Sequence, residues 1–275
     1  MAEPLVTVVL SSYDRPTLIR DAIDSVLKQN WPEIQLLIAD DWSDQPVMKV
    51  LEEYTDRIHK RTRHSMIVQP PDKPSPQERQ YGQRCAECIN AAMAYAEGEF
   101  VCFLPDDDML FPRSIAVRAQ YLIDNPLVNV VVGRLEACKP VNCMSVGLHF
   151  PNVSIGQELL YLNGPNQACI HDRNGFWSEK PLGAIENLVD HSMPMVRRCP
   201  KGLTLPPWPT RPWPVMREAI EDARSWGLDM HDCPDSNWFM ALRVAGFGPF
   251  HFIDEMVTMK RYTRYGHRTG PTRRE

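Results

Sequence analysis

The chain has 275 residues, a formal net charge of -5 and a pI near 5.9, so it can bury a full core and has no global pull toward nucleic acid or an anionic membrane. No uninterrupted apolar run is long enough to cross a bilayer, and the opening Met-Ala-Glu-Pro lacks the basic-then-apolar pattern of a secretory signal. The expectation is a cytoplasmic protein of one domain, residues 1–275, whose eight cysteines are reduced thiols.

Leu5 to Leu10 is a β-branched run that reads as a buried strand, and it ends in the polar stretch Ser11-Ser12-Tyr13-Asp14-Arg15-Pro16. From Thr17 to Gln29, Leu18, Ile19, Ala22, Ile23, Val26 and Leu27 fall on one helical face, with Pro16 at the start and Asn30-Trp31-Pro32 as the stop. Ile34 to Ala39 is a second strand, ending in Asp40-Asp41-Trp42-Ser43-Asp44. Strand, helix, strand predicts a parallel pair. Val47 to Tyr54 reads as another amphipathic helix, Ser65 to Val68 as a third strand, and the proline-rich Pro70 to Pro76 as a loop.

The segment RCAECINAAMAYAEGEFVCFLPDDDMLFP, Arg84 to Pro112, carries the densest signal. Ala86, Ile89, Met93 and Ala96 recur at helical spacing, with Gly98 placed as a C-terminal cap. Phe100 to Leu104 is then wholly apolar, as suits a strand covered on both faces. Asp106, Asp107 and Asp108 follow directly. Ligands of open α/β sheets bind at the carboxyl ends of the strands, and crowded carboxylates call for a cation such as Mg²⁺ or Mn²⁺. The plainer reading is a solvated acidic turn.

A helix from Ser114 to Asp124 and a strand from Asn129 to Gly133 complete a regular first half. The repeated strand and helix, with acids and hydroxyls at the strand ends, predict an α/β nucleotide-binding architecture. Residues 134 to 195 show no sustained period, apart from a strand near Ser192 to Val196. Leu205 to Pro214 has too many prolines for a helix or central strand. Its Trp208 and Trp213 are either packing anchors or a stacking surface for a sugar, the second being favoured. Asp235 opens a helix from Ser236 to Ala245 closed by Gly246, Phe250 to Ile253 is a last strand, and a basic, aromatic tail starts at Lys260.

Three stretches together resemble the family 2 glycosyltransferases of the GT-A fold, most closely the spore-coat polysaccharide type. They are VTVVLSSYDRP with SVLKQNWPEIQLLIADDWSD, the Arg84 to Pro112 segment, and GLDMHDCPDSNWFMALRVAGF. The resemblance implies a single Rossmann-like, mostly parallel sheet flanked by helices. Residues 1–133 would bind a nucleotide-sugar and the irregular 134–275 an acceptor. It implies a UDP- or dTDP-sugar donor, Mn²⁺ or Mg²⁺, and a hydroxyl acceptor on a saccharide, with a nucleic-acid base or protein less favoured. Carried over, Ser11 and Tyr13 line the base pocket, Asp41 bonds the base with Asp40 beside it, and Arg84 meets the base or diphosphate. Asp106 holds the ribose, Asp107 and Asp108 the metal with His267, and Asp235 is the general base of an inverting transfer.

The sequence departs from that pattern at Pro105, where many members have Asp, and at Pro234, where Glu is frequent. Asp229, Asp232 and Glu255 are the alternatives to Asp235. A nucleotidyltransferase would show a Gly-rich phosphate loop where this chain has SSYDRP. In a non-catalytic binding module, Asp235 would merely cap its helix.

Overall fold

The computed structural model describes residues 2–43, 45–75, 84–138, 158–160, 167–171, 177–181, 190–200, 202–210, 238–239, 241–242, 244–248 and 250–261. Asp229, Asp232, Asp235, Trp213 and His267 lie outside these. One mixed sheet runs through the described chain. Its first half holds β1 (Val6–Ser12), β2 (Ile34–Asp40), β3 (His64–Val68), β4 (Phe100–Pro105), β5 (Asp108–Leu110) and β6 (Val130–Cys138). The second half adds β7 (Glu158–Leu160), β8 (Gln167–His171), β9 (Trp177–Pro181), β10 (Pro194–Arg197) and β11 (Phe250–Arg261). The helices are α1 (Leu18–Leu27), α2 (Gln45–Arg61), α3 (Arg84–Met93) and α4 (Ser114–Asp124).

Strand order is β3-β2-β1-β4-β10-β6-β11-β7-β8-β9, with β5 paired to β11. The first four strands are parallel, as the strand-helix-strand pattern predicts. β10 runs antiparallel between β4 and β6, so a strand from the irregular half is built into the centre of the sheet. The expected α/β fold is therefore observed, with parallel pairing confined to the first four strands and the β6–β11 pair.

The apolar runs become strands because both faces are covered. Val9, Leu37, Val101 and Phe103 face one core with α3, whereas Val8, Leu10, Leu36, Cys102 and Leu104 face the other with α1 and α4. Two buried polar side chains break the run, Thr7 and Gln35, and they are satisfied by each other. The Thr7 hydroxyl donates to Gln35 Oε1 at 2.6 Å, and Gln35 Nε2 donates to the Tyr95 carbonyl. Glu97 N and Gly98 N donate back to Gln35 Oε1 and Thr7 Oγ1. This network fixes the turn that delivers the chain into β4, and burying such groups unpaired would be costly.

Several boundaries differ from expectation. α2 starts and ends further out than Val47–Tyr54, and β11 extends eight residues past Ile253 to Arg261, because pairing with β5, β6 and β7 sustains it where alternation alone does not. α3 ends at Met93, so Gly98 caps nothing. It is glycine because of close approach: a Cβ there would lie 2.5 Å from Thr7 N and 2.7 Å from the Phe100 carbonyl. Gly246 does adopt the left-handed conformation that ends a helix, at φ 82°, with Phe247 N bonded to the Leu242 carbonyl. Trp208 is buried and stacks on Trp238, with ring centroids 4.7 Å apart and planes at 10°, while Asn90 holds its backbone N and O. The favoured sugar-stacking reading is thus corrected for Trp208, which anchors the core.

Gly98→Ala should destabilise the fold by about 1–3 kcal/mol, the usual cost of overpacking. A lowered urea midpoint with an unchanged m-value is the expected result.

Candidate functional site

The carboxyl ends of β2, β1 and β4 bring the expected residues together. Asp106 leaves β4 buried, 2% exposed, its N bonded to the Ser11 carbonyl as the ladder's last step. Asp106 Oδ2 accepts from the Ser12 hydroxyl at 2.9 Å and from Tyr13 N at 3.1 Å, and Oδ1 accepts from Arg15 Nη1 at 2.8 Å. The same Arg15 nitrogen lies 2.8 Å from Asp107 Oδ2. Burial pushes the Asp106 carboxyl up to about 6, against the opposing pull of Arg15. Burial also works against the Arg15 charge, but Asp106 and Asp107 outweigh it and hold the guanidinium charged.

At the end of β2, Asp41 N bonds to the Ser12 carbonyl, and Asp41 Oδ1 accepts from Arg84 Nε at 3.1 Å and Nη2 at 2.8 Å. Arg84 also pairs with Glu87, one turn along α3. Asp40 points into the loop instead, where Oδ2 takes Ser43 N and Gln69 Nε2. Ser11 is half-buried beside the Cys85 thiol, and the Tyr13 ring is exposed at the rim. Asp14 and Trp42 hold positive φ, 48° and 55°, in the loops after β1 and β2. For a residue as bulky as Trp that is strained backbone of the kind that gathers at binding sites. Asp14 N bonded to Ser43 Oγ and Trp42 Nε1 bonded to the Pro70 carbonyl hold those loops in place.

Asp108 departs from its neighbours. It is 1% exposed at the start of β5, opposite Lys260 of β11, and its Oδ1 accepts from Arg261 N. Its Oδ2 is buried and has no hydrogen-bond partner among the described residues. Burial, with Asp190 and Asp107 adding and Lys260 opposing, pushes its carboxyl up to about 8. Asp107 is the more accessible of the pair, its side chain 19% exposed.

Sequence reasoning missed the cations that assemble this loop. Arg15 was visible in SSYDRP without a role. Arg261, grouped with the basic tail, donates from Nε to the Asp107 carbonyl and from Nη2 to the Leu18 and Asp106 carbonyls, and pairs with Asp21. It thereby ties the acidic loop to α1. Nothing local distinguishes Arg261 from the arginines beyond it; the 155-residue separation from Asp106 hides the contact. Glu255 is exposed on β11.

The family model for glycosyl transferase family 2 matches residues 7–174. The chain belongs to glycosyl transferase family 2. Among its relatives is the Escherichia coli UDP-Glc:alpha-D-GlcNAc-diphosphoundecaprenol beta-1,3-glucosyltransferase WfgD, 30% identical over 126 residues, 46% of this chain and 44% of that one. The chain spans less than half the length of curated relatives it matches. Of solved structures, Staphylococcus aureus TarS 1–349 in complex with UDP-GlcNAc aligns over 94% of this chain and 59% of its own, at TM-score 0.56 and 13% identity. The Pyrobaculum calidifontis mannosyltransferase PcManGT with GDP-Man and Mn²⁺ aligns over 97% and 59%, at TM-score 0.52 and 14% identity. These two share the fold with the family 2 chain. Among the described residues no helix is long and apolar enough to cross a membrane.

A raised carboxyl pKa makes folding bind a proton that the unfolded chain releases. The Asp108 contribution to stability is therefore full below pH 4 and lost as pH rises through about 8. Chemical denaturation across pH 4 to 9 should show a downward slope that Asp108→Asn flattens; equal slopes in the two proteins would contradict the burial of this carboxyl.

Proposed function

We propose that the protein is a metal-dependent, inverting glycosyltransferase that moves a sugar from UDP or dTDP to a saccharide hydroxyl. Family membership supplies the reaction class, and the arrangement at the ends of β1, β2 and β4 carries the donor reading. Arg84 holding Asp41 fixes a carboxylate for the base edge, the Tyr13 ring offers a stacking face, and Asp106 stands where a ribose would be held. In support, the relative WfgD is a UDP-Glc-dependent glucosyltransferase by name, and the fold neighbour TarS 1–349 is known in complex with UDP-GlcNAc. The finer likeness to the spore-coat polysaccharide type, the split into a donor half at 1–133 and an acceptor half at 134–275, and a cytoplasmic location belong to the same proposal.

The described residues suit a divalent ion. Mg²⁺ and Mn²⁺ sites at diphosphates take one or two carboxylates and complete the shell with phosphate oxygens and water. Here no three His, Cys, Asp or Glu side chains among the described residues form a cage. The Arg15 guanidinium lodged against Asp106 and Asp107 nonetheless marks a place where positive charge is held. Asp107, the accessible carboxylate, is assigned to the ion, with Asp108 adjoining and His267 as a further ligand from the tail. When bound, the ion neutralises charge developing on the leaving diphosphate.

Asp235, after Pro234, is assigned as the base that takes the acceptor proton. The helix that the sequence predicts from Ser236 would favour an ionised carboxylate at its start, as a base at neutral pH must be. One displacement at the anomeric carbon inverts it.

A thermal-shift screen of UDP, dTDP and GDP with Mn²⁺ tests the donor reading, since the correct nucleotide raises the melting point by mass action. Asp107→Asn should weaken Mn²⁺-dependent diphosphate binding and leave the fold intact. Asp235→Asn should keep donor affinity and lose transfer by roughly 100-fold or more. Near-normal turnover in that variant, or collapse in Asp229→Asn or Asp232→Asn, would move the base.

A further inference from the structure

Away from the carboxyl edge, a cavity stands on the α3 face of the sheet. It holds about 280 Å³, the lower end of the range for ligand sites. Its wall includes Met93 of α3, Phe103 of β4, Leu205, Trp208 and Trp238, and Arg198 and Cys199 also line it. Cys199 is exposed, which places the mouth beside it. The segment that closes the wall contains Pro206 and Pro207, which carry no N–H for a strand ladder. It is pinned at points instead. Asn90 Nδ2 donates to the Trp208 carbonyl at 2.7 Å, Asn90 Oδ1 accepts from Trp208 N at 2.7 Å, and Trp238 Nε1 donates to the Pro206 carbonyl at 3.4 Å. Trp208 Nε1 is buried without a hydrogen-bond partner among the described residues, a mark of packing that the chain itself does not complete.

The mouth lies at the opposite end of β4 from the acidic loop. Arg198 N donates to the Glu99 carbonyl, and its Nε and Nη2 donate to the carbonyls of Gly98 and Glu97 at 2.7 and 3.2 Å, in the turn that precedes β4. The six residues of β4 put roughly 20 Å between that turn and Asp106. Arg198 is half-buried, and among the described residues it meets no carboxylate. The nearby acids are engaged elsewhere, Glu99 with Arg197 and Glu97 with His64. A guanidinium carries five N–H donors in a planar fork, and here Nη1 has no acceptor among the described residues. A positive charge with open donors thus stands at the rim of an apolar cavity.

We propose that this cavity is a second binding site, which takes a small amphipathic carboxylate: a short hydrocarbon body against the aromatic wall, and one carboxylate on Arg198. The body gains by leaving water for the apolar wall. The guanidinium selects the head group, because a charge-assisted pair is stronger and more directional than a bond to a neutral hydroxyl, and a cationic head is repelled. The volume admits a small molecule only. Phe103 in the wall belongs to β4, the strand that ends in the acidic loop, so the ligand rests on the same strand as the donor edge and at its other end.

Calorimetric titration of the parent, Arg198→Lys and Arg198→Met with octanoate, octanol and octylamine tests the head-group choice. Alkylation of Cys199 by iodoacetamide, followed by peptide mass mapping, tests the location. The parent should bind octanoate one to one and roughly tenfold or more tighter than octanol, with octylamine weakest. Saturating octanoate should slow Cys199 alkylation several-fold. Arg198→Lys, which keeps the charge, should retain most of the preference for octanoate. Arg198→Met should bind octanoate and octanol alike, with the octanol affinity of the parent as the sign that cavity and fold are kept. The parent measurements decide the site by themselves, whatever the stability of the variants. No saturable binding by the parent, octanoate no tighter than octanol, or Cys199 alkylated equally fast with and without octanoate would overturn the proposal, as would a preference that survives in Arg198→Met.

Discussion

The buried Asp106 carboxylate joins the ends of β1 and β4 and the loops that follow them. It ends β4, yet its hydrogen bonds come from Ser12, Tyr13 and Arg15 at the end of β1. A carboxylate taken out of water is tolerated only when its oxygens are filled, so the side chain and the two loops hold one another in place. Arg261 fastens the same loop from behind through the Asp106 and Asp107 carbonyls and joins it to α1. α1 and the residues just after it in turn brace the loop's exit, since Ser25 Oγ accepts from Leu110 N and Gln29 bonds to the Phe111 carbonyl and Ile115 N.

A common logic links this arrangement to the rest of the edge. Three carboxylates at this edge take a cation from another element: Asp41 from Arg84 of α3, Asp106 from Arg15, and Asp190, before β10, from Lys260 of β11. Acids crowded within one sheet edge would repel one another and swell the loops apart if left unpaired. Paired with cations from elsewhere in the chain, they fix loop geometry before any ligand arrives. For Asp190 the balance is visible: burial works against its charge, but Lys260 and His191 outweigh it and hold the carboxyl below the usual range. Arg118 performs the corresponding task with backbone carbonyls and the Ser114 hydroxyl, and burial lowers its own affinity for a proton.

The strained loops after β1 and β2 fit the same picture. Trp42 and Asp14 sit in backbone conformations that cost free energy, and the surrounding bonds to Pro70 and Ser43 maintain them. Such strain is affordable only on a rigid base, which the doubly covered parallel strands supply.

The sequence by itself determined the parallel half and its acids. Apolar runs such as Val6 to Leu10 and Phe100 to Leu104, separated by amphipathic helices, have one stable solution as strands covered on both faces, and the loops after them then converge at one edge. Asp41, Arg84 and Asp106 were legible on that ground together with the family resemblance. What only the tertiary structure decided were pairings across long separations: Arg261 with the acidic loop, Lys260 with Asp190 and Asp108, Arg118 with the turn at 192–194, and the insertion of β10 between β4 and β6. None leaves a periodic trace, because a single charged side chain meeting a distant carbonyl or carboxylate imposes no pattern on its neighbours. Trp208 shows the converse case: its proline-rich surroundings read as an exposed loop, and only the stacking of Trp238 and the hold of Asn90 turn it into core.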